Sequence, residues 1–186
     1  STDGLTDIDP VMVFTVIGII LAAVFVAMVI SILLSIFIWN PLEVGCQKFF
    51  INCKYGNAEL GDIAYGFKNG YAHIGMIMFL RGLFTGLWML LFIIPGIVKS
   101  YEYMMIPYLL AEHPEMTRQE AFAESKQMMD GNKWDAFVLD LSFIGWTLLG
   151  VCTFGILLVF YVEPYIYLTR AELYHALKNN NKSVEF

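Results

Sequence analysis

The sequence predicts an all-α fold: a polytopic transmembrane helical bundle with two repeated helical hairpins and interfacial amphipathic helices. Three observations predict it. The chain of 186 residues is 58% hydrophobic and only 15% charged, against about 45–50% apolar and about 25% charged in soluble domains, and its mean hydropathy is +0.63. Residues 11–39, a run of 29, carry no charge. Two later blocks repeat one pattern of apolar helix, tight turn and apolar return. A single domain of this length cannot hide so much apolar surface from water, so its solvent is a bilayer.

Each element follows from its local pattern. At 1.5 Å per residue, residues 11–39 make about 43 Å of helix against about 30 Å of hydrocarbon, which predicts a tilted first span. Asp3, Asp7 and Asp9 precede it, and Trp39-Asn40-Pro41 supplies an interfacial aromatic and then a stop. Lys48, Lys54 and Lys68 among Phe49, Phe50, Ile51, Leu60 and Ile63 read as interfacial structure, with a helix near 42–53. The second span, 71–94, is interrupted by Arg81 and turns at Ile94-Pro95-Gly96-Ile97, where Pro95 and Gly96 break the helix. A third span, 97–112, returns to His113-Pro114. Thr117-Arg118-Gln119-Glu120 has the form of a capping box and opens an amphipathic helix near 117–130, outside the bilayer core. The second hairpin is 134–153 and 155–175, with its tip at Cys152-Thr153-Phe154-Gly155 and a polar tail at Asn179-Asn180-Asn181-Lys182. Residues 1–186 thus form a single integral membrane domain. The start without an initiator Met adds the expectation of a preceding span outside this numbering.

The hairpins correspond in detail. Trp88 matches Trp146, Gly96 matches Gly155, and Pro107-Tyr108 matches Pro164-Tyr165. Both enter and leave on one side, which makes them parallel repeats. Lys48, Lys54, Lys68, Arg118, Lys126, Lys133, Lys178 and Lys182 fall on that side. The bias of Lys and Arg toward short cytoplasmic loops predicts a multi-pass cell-membrane protein with Ser1 outside and the C-terminus in the cytoplasm.

Ionisable residues inside spans are the candidates for function, since an unpaired charge there costs at least a few kcal/mol. Arg81, Glu102, Asp140 and Glu163 form the candidate intramembrane polar network, at depths of about 15, 9, 9 and 12 Å. Arg81 and Glu163 are expected to meet near the midplane. Three readings stay open: an ion pair that locks the bundle, a substrate, proton or ion site in a polar cavity, and simple snorkelling or other span ends. Lys99 and Arg170, near span ends, are expected to snorkel. Pro107 and Pro164 each free a carbonyl one turn earlier, as a packing kink or as the broken helix of an ion site. Gly82 and Gly86 form a G-x-x-x-G surface for close approach within the chain or between chains.

Several classes have no support. The net charge of −6 and the lack of a basic stripe argue against nucleic acid as a partner. Cys46, Cys53 and Cys152 lack redox or metal spacing and read as reduced packing residues. His73, His113 and His175 lie far apart, so neither a metal nor another cofactor is expected. No nucleophile elbow, P-loop or dinucleotide fingerprint occurs, which predicts a protein that is not an enzyme. The leading expectation is a membrane scaffold or accessory protein that binds lipid, a second copy or a partner membrane protein. The alternative is a small transporter or channel-like protein using the intramembrane charges.

The runs Gly66-Phe67-Lys68, Ile93-Ile94-Pro95-Gly96-Ile97-Val98-Lys99, Ser125-Lys126-Gln127-Met128-Met129-Asp130-Gly131-Asn132-Lys133 and Leu141-Ser142-Phe143-Ile144-Gly145-Trp146 carry a resemblance. From about Asn40 onward the chain resembles the bacterial integral-membrane proteins grouped as the domain of unknown function 975 family. That resemblance implies a helical multispan protein with no assigned reaction. Its members usually carry a further N-terminal segment and span, in keeping with the predicted outside start.

Overall fold

The structure, a computed structural model, describes residues 10–153 and 155–184, with side chains over 11–153 and 155–180. Asp3, Asp7 and Asp9, and Phe154 at the second tip, lie outside the described residues. Every regular element among those described is helical. Three helical runs are long and apolar enough to cross a membrane: Val11–Lys54, Tyr71–Leu91 and Lys133–Cys152.

The first of these corrects an expectation. Helix α1 (Pro10–Leu34), a π turn (Ser35–Trp39) and α2 (Asn40–Lys54) are continuous, with no stop at Trp39-Asn40-Pro41. A helical proline clashes with the carbonyl four residues back and leaves it without a donor. Here that carbonyl belongs to Phe37, and the π turn widens the backbone just ahead of Pro41. The Tyr71 hydroxyl supplies the missing donor, bonding Phe37 O at 2.6 Å. A helix therefore does occupy the range predicted near 42–53, as α2, but as a continuation of the first apolar helix. A 3-10 turn (Leu60–Ala64) and α3 (Tyr65–Lys68) fold back onto it. Their backbones come so close that a Cβ on Gly45 would overlap the Ile63 carbonyl, and one on Gly66 the Pro41 carbonyl.

Helix α4 (Tyr71–Leu91) buries Ile74, Gly75, Ile77 and Met78 on one face of its leading half. It ends at Phe92, an extended residue with φ −153° and ψ 130°, two residues before the predicted break. Pro95 falls instead within the first turn of α5 (Ile93–Glu102), where no intrahelical donor is lost. Gly96 is a contact point and not a break: a Cβ there would stand 2.7 Å from Met89 Cα. The predicted third span, 97–112, is divided by a turn at 103–105, after which α6 (Ile106–Glu112) begins with Pro107 in its first turn. There, as at Pro95, the proline costs no intrahelical donor, and the Tyr103 carbonyl accepts from the Ile106 N–H at 3.4 Å, so the freed carbonyl expected at Pro107 is not found.

Helix α7 (Arg118–Met129) opens on the predicted capping box, with Glu120 N–H donating to Thr117 Oγ1 and Thr117 N–H donating to the Glu120 carboxylate at 2.8 Å. Helices α8 (Lys133–Ser142) and α9 (Ile144–Cys152) rise together with a one-residue interruption at Phe143. The chain reverses, and a second π turn (Leu158–Val162) precedes Pro164 in α10 (Glu163–Val184). The offset between π turn and proline is the same as at Pro41, and so is the steric reason. Helix α10 also continues through residues 179–182, in place of the polar tail that the sequence predicts.

Helix α6 is the centre of the core, with every residue from Ile106 to Ala111 buried. Val44 and Ile51 of α2, Ile74 and Ile77 of α4, Met128 and Met129 of α7, and Ala171, Tyr174 and Leu177 of α10 surround it. Tyr108 and Tyr174 stack at 5.4 Å within that core. Away from it the apolar surface is uncovered. Every described side chain of α1 is exposed, as are Leu90 (84%), Ile94 (77%) and Phe160 (80%). At about 25 cal/mol per Å², an apolar surface of this extent is costly to leave in water, in keeping with helices that could cross a membrane.

The close backbone contact at Gly45 makes a direct test. Gly45→Ala meets a carbonyl that no rotamer change can move, and should lower stability by roughly 1–3 kcal/mol or more, read as a lower melting temperature in detergent. Gly82→Ala, with nothing within 4 Å of a new Cβ, should gain about 0.5–1 kcal/mol from helix propensity. At the capping box, hydrogen bonds from the Thr117 hydroxyl and then its N–H hold the Glu120 carboxyl below the ordinary glutamate range. The stabilisation is present above the unfolded-state pKa and is lost as pH falls through the folded one. Thr117→Ala should move the Glu120 titration upward, measured by carboxyl NMR.

Candidate functional site

The four charged residues expected to form one network occupy separate places. Arg81, on the face of α4 that meets α2, donates from Nη1 to Glu43 at 3.0 Å and from Nε to Tyr103 O at 3.0 Å. The latter carbonyl, at the corner between α5 and α6, also accepts from the Ile106 N–H at 3.4 Å. The expected Arg81–Glu163 pair is not formed. Because α2 continues past Pro41, Glu43 is carried to Arg81, whereas Glu163 is exposed and its carboxylate makes no ion pair or hydrogen bond among the described residues.

Glu102, at the end of α5, is almost wholly buried and is held by Lys99 at 2.7 Å and Lys133 at 3.1 Å. Ser125 Oγ of α7 donates to its carbonyl at 2.8 Å. This cluster fastens α5, α7 and α8 together. Lys99 does not snorkel; its ammonium also sits 5.8 Å from the Trp88 ring and 5.7 Å from the Tyr103 ring. Asp140 of α8 accepts from Arg170 of α10 at 2.9 Å and from the Tyr101 hydroxyl at 3.1 Å. Arg170 is likewise a bridging cation, and its Nε is buried without a hydrogen bond.

Glu43 and Arg170 are the site residues that sequence reasoning missed. The signal for Glu43 was the need of Arg81 for an acid, hidden by the assumption that Pro41 ends the helix. The glycines also exchange roles. Gly82 and Gly86, expected at a close approach, have nothing within 4 Å of where a Cβ would stand, while Gly45, Gly66, Gly96 and Gly150 make the tight contacts.

Two Arg–carboxylate pairs therefore lie at the bases of the two chain reversals, each lining a cavity. Asn40, Glu43, Arg81, Thr85 and Ser100 line one of about 260 Å³. It shares Asn40, Met78 and Gly82 with an apolar groove of about 520 Å³ that runs past Leu83, Gly86 and Leu87 to Leu90. The second cavity, about 290 Å³, is lined by Asp140, Thr147 and Arg170 together with Phe143, Ile144, Leu148 and Ile166. No group of three or more His, Cys, Asp or Glu that could hold a metal occurs among the described residues. Cys46, Cys53 and Cys152 are free thiols.

The sequence from residue 11 to 181 matches the family described as Protein of unknown function (DUF975). The chain belongs to that family. No curated protein and no solved structure matches it. Membership in this family brings a shared sequence pattern and no reaction, so the chemistry of the DUF975 chain rests on its own residues.

The pairing scheme is open to a double-mutant cycle. Arg81→Met and Glu43→Gln should be non-additive, with a coupling on the order of 0.5–3 kcal/mol, because they remove the two ends of one contact. Arg81→Met and Glu163→Gln should add independently. Unfolding in detergent at neutral pH measures both.

Proposed function

We propose that this protein is a non-catalytic membrane scaffold or accessory protein that binds lipid or partner membrane helices. The observation that carries the reading is how the charges are used. Arg81 with Glu43, Glu102 with Lys99 and Lys133, and Asp140 with Arg170 each join neighbouring helices. They do not converge on one cavity, which is what a carrier of protons or ions would need. Buried pairs of this kind are costly to break singly and serve to hold elements in register. Beyond them lies an uncovered apolar surface on α1, outer α4 and α9, the kind that lipid or another helix covers.

The proposed setting is a bacterial cell membrane, with two hairpin repeats that enter and leave on the cytoplasmic side. Pairs equidistant from each reversal favour the repeat: Arg81 and Tyr103 flank Phe92 by eleven residues each, and Phe143 packs on Tyr165 at 5.7 Å across the second tip. The positive side chains of α7 and α10 favour a cytoplasmic C-terminus and an outside Ser1. A second copy of the chain or another membrane protein is the proposed partner, and nucleic acid is not.

Two measurements test this reading. Lys126→Cys should resist a membrane-impermeant thiol reagent added to intact cells and react after permeabilisation; reaction from outside reverses the orientation. Vesicles reconstituted with the protein should show no flux driven by a pH or ion gradient. A gradient-driven flux that Glu163→Gln abolishes would replace the scaffold with the carrier.

A further inference from the structure

The level of Arg81 relative to the membrane follows from its neighbours. Phe84, three residues further along α4, packs edge-on against Phe122 of α7 at 5.8 Å. Helix α7 exposes Arg118, Glu120 and Lys126, and exposed charges lie in water or among headgroups. Phe84 is therefore near the membrane surface. From Phe84 to the turn at Phe92 is eight residues, about 12 Å of helix, which is less than half of a hydrocarbon core of about 30 Å. Arg81 and Glu43 thus sit at headgroup level, and the groove along Gly82, Gly86 and Leu90 descends about the depth of one leaflet.

The polar cavity at the head of that groove has hydrogen-bonding capacity left over. Arg81 uses Nε and Nη1, and its Nη2 makes no hydrogen bond among the described residues. Glu43 uses Oε1 and leaves Oε2 open in the same sense. Thr85 and Ser100 spend their hydroxyl protons on the carbonyls of Arg81 and Ile97, so what they retain for the cavity is acceptor oxygen. The cavity thus offers a donor cation for an anion and, beside it, a set of acceptors for an ammonium group. Its pair is neutral overall, which suits a zwitterion better than a net anion.

We propose that this cavity and groove bind one zwitterionic phospholipid of the phosphatidylethanolamine type, with its phosphate on Arg81, its ammonium on Glu43 and an acyl chain along Gly82 and Gly86. The proposal rests on the lipid-binding scaffold reading and names the lipid and its site. The absence of side chains at 82 and 86 opens the wall of the groove, and no other part of the described chain fills it.

Native mass spectrometry of the purified full chain in detergent tests this, with phosphatidylethanolamine and phosphatidylglycerol of identical acyl chains as probes. The expected result is retention of phosphatidylethanolamine about tenfold tighter than phosphatidylglycerol, equivalent to about 1.4 kcal/mol. Gly86→Leu, which fills open space without touching backbone, should weaken that binding about tenfold while the lipid-free melting temperature does not fall. Glu43→Gln should shift the preference toward phosphatidylglycerol. Soluble phosphoethanolamine should fail to displace the lipid. Equal binding of the two lipids, wild-type binding by Gly86→Leu, or displacement by soluble phosphoethanolamine would each overturn the site. Any of these in vesicles without gradient-driven flux leaves the scaffold reading standing, whereas flux removes that reading whether or not the lipid binds.

Discussion

Arg81 ties three elements together through the divergent donors of one guanidinium. At the corner between α5 and α6 the Tyr103 carbonyl receives a long bond from the Ile106 N–H, at 3.4 Å, and has a lone pair to spare. The guanidinium covers it through Nε while Nη1 holds Glu43 of α2. A lysine could not do this, because the two bonds diverge from one planar group. Ten residues earlier on the same helix, the Tyr71 hydroxyl donates to the Phe37 carbonyl that Pro41 releases. Both helix irregularities are thus referred to α4, which serves as the common post for the long first helix and for the α5–α6 corner.

The rest of the inner half builds on that post. With α2 and the α5–α6 corner both anchored, α6 is enclosed on every side, and its six residues from Ile106 to Ala111 can all be apolar and buried. The second cluster then acts as a counterpart, as Glu102 draws Lys99 and Lys133 together where α5 meets α8. The third, Asp140 with Arg170, joins the rising and returning limbs of the second reversal. Charges placed among apolar helices in this way restrict which faces can meet, since any other register would strand a charge.

The apolar surface divides sharply from this braced half. Side chains of α1 and of the outer parts of α4 and α9 make few contacts with the rest of the chain, while the inner parts of α2, α4 and α10 line a packed core. In the scaffold role proposed above, this surface would meet lipid or a neighbouring helix, with the braced half supplying a platform. Cavities of about 260 and 290 Å³ at the boundary, each with an arginine and a carboxylate, lie where polar and apolar surroundings meet.

The all-helical class, the helices apolar enough to cross a membrane and the capping box at Thr117 and Glu120 could be read from the sequence by itself, because each depends on interactions local in the chain. Hydrophobic transfer adds residue by residue, and helical hydrogen bonds and caps span three or four positions. The sequence also located the reversal near Pro95 to within a few residues, and it marked Arg81, Glu102 and Asp140 as groups in need of partners. Only the tertiary structure decided which partners they have. Whether Pro41 stops a helix depends on a donor at Tyr71, far along the chain, and that single outcome moves Glu43 to Arg81 and leaves Glu163 exposed. The glycines follow the same logic: spacing identifies Gly82 and Gly86 as able to admit a close neighbour, but the neighbour arrives at Gly45 and Gly66, because close approach is a property of two surfaces and the sequence shows one at a time.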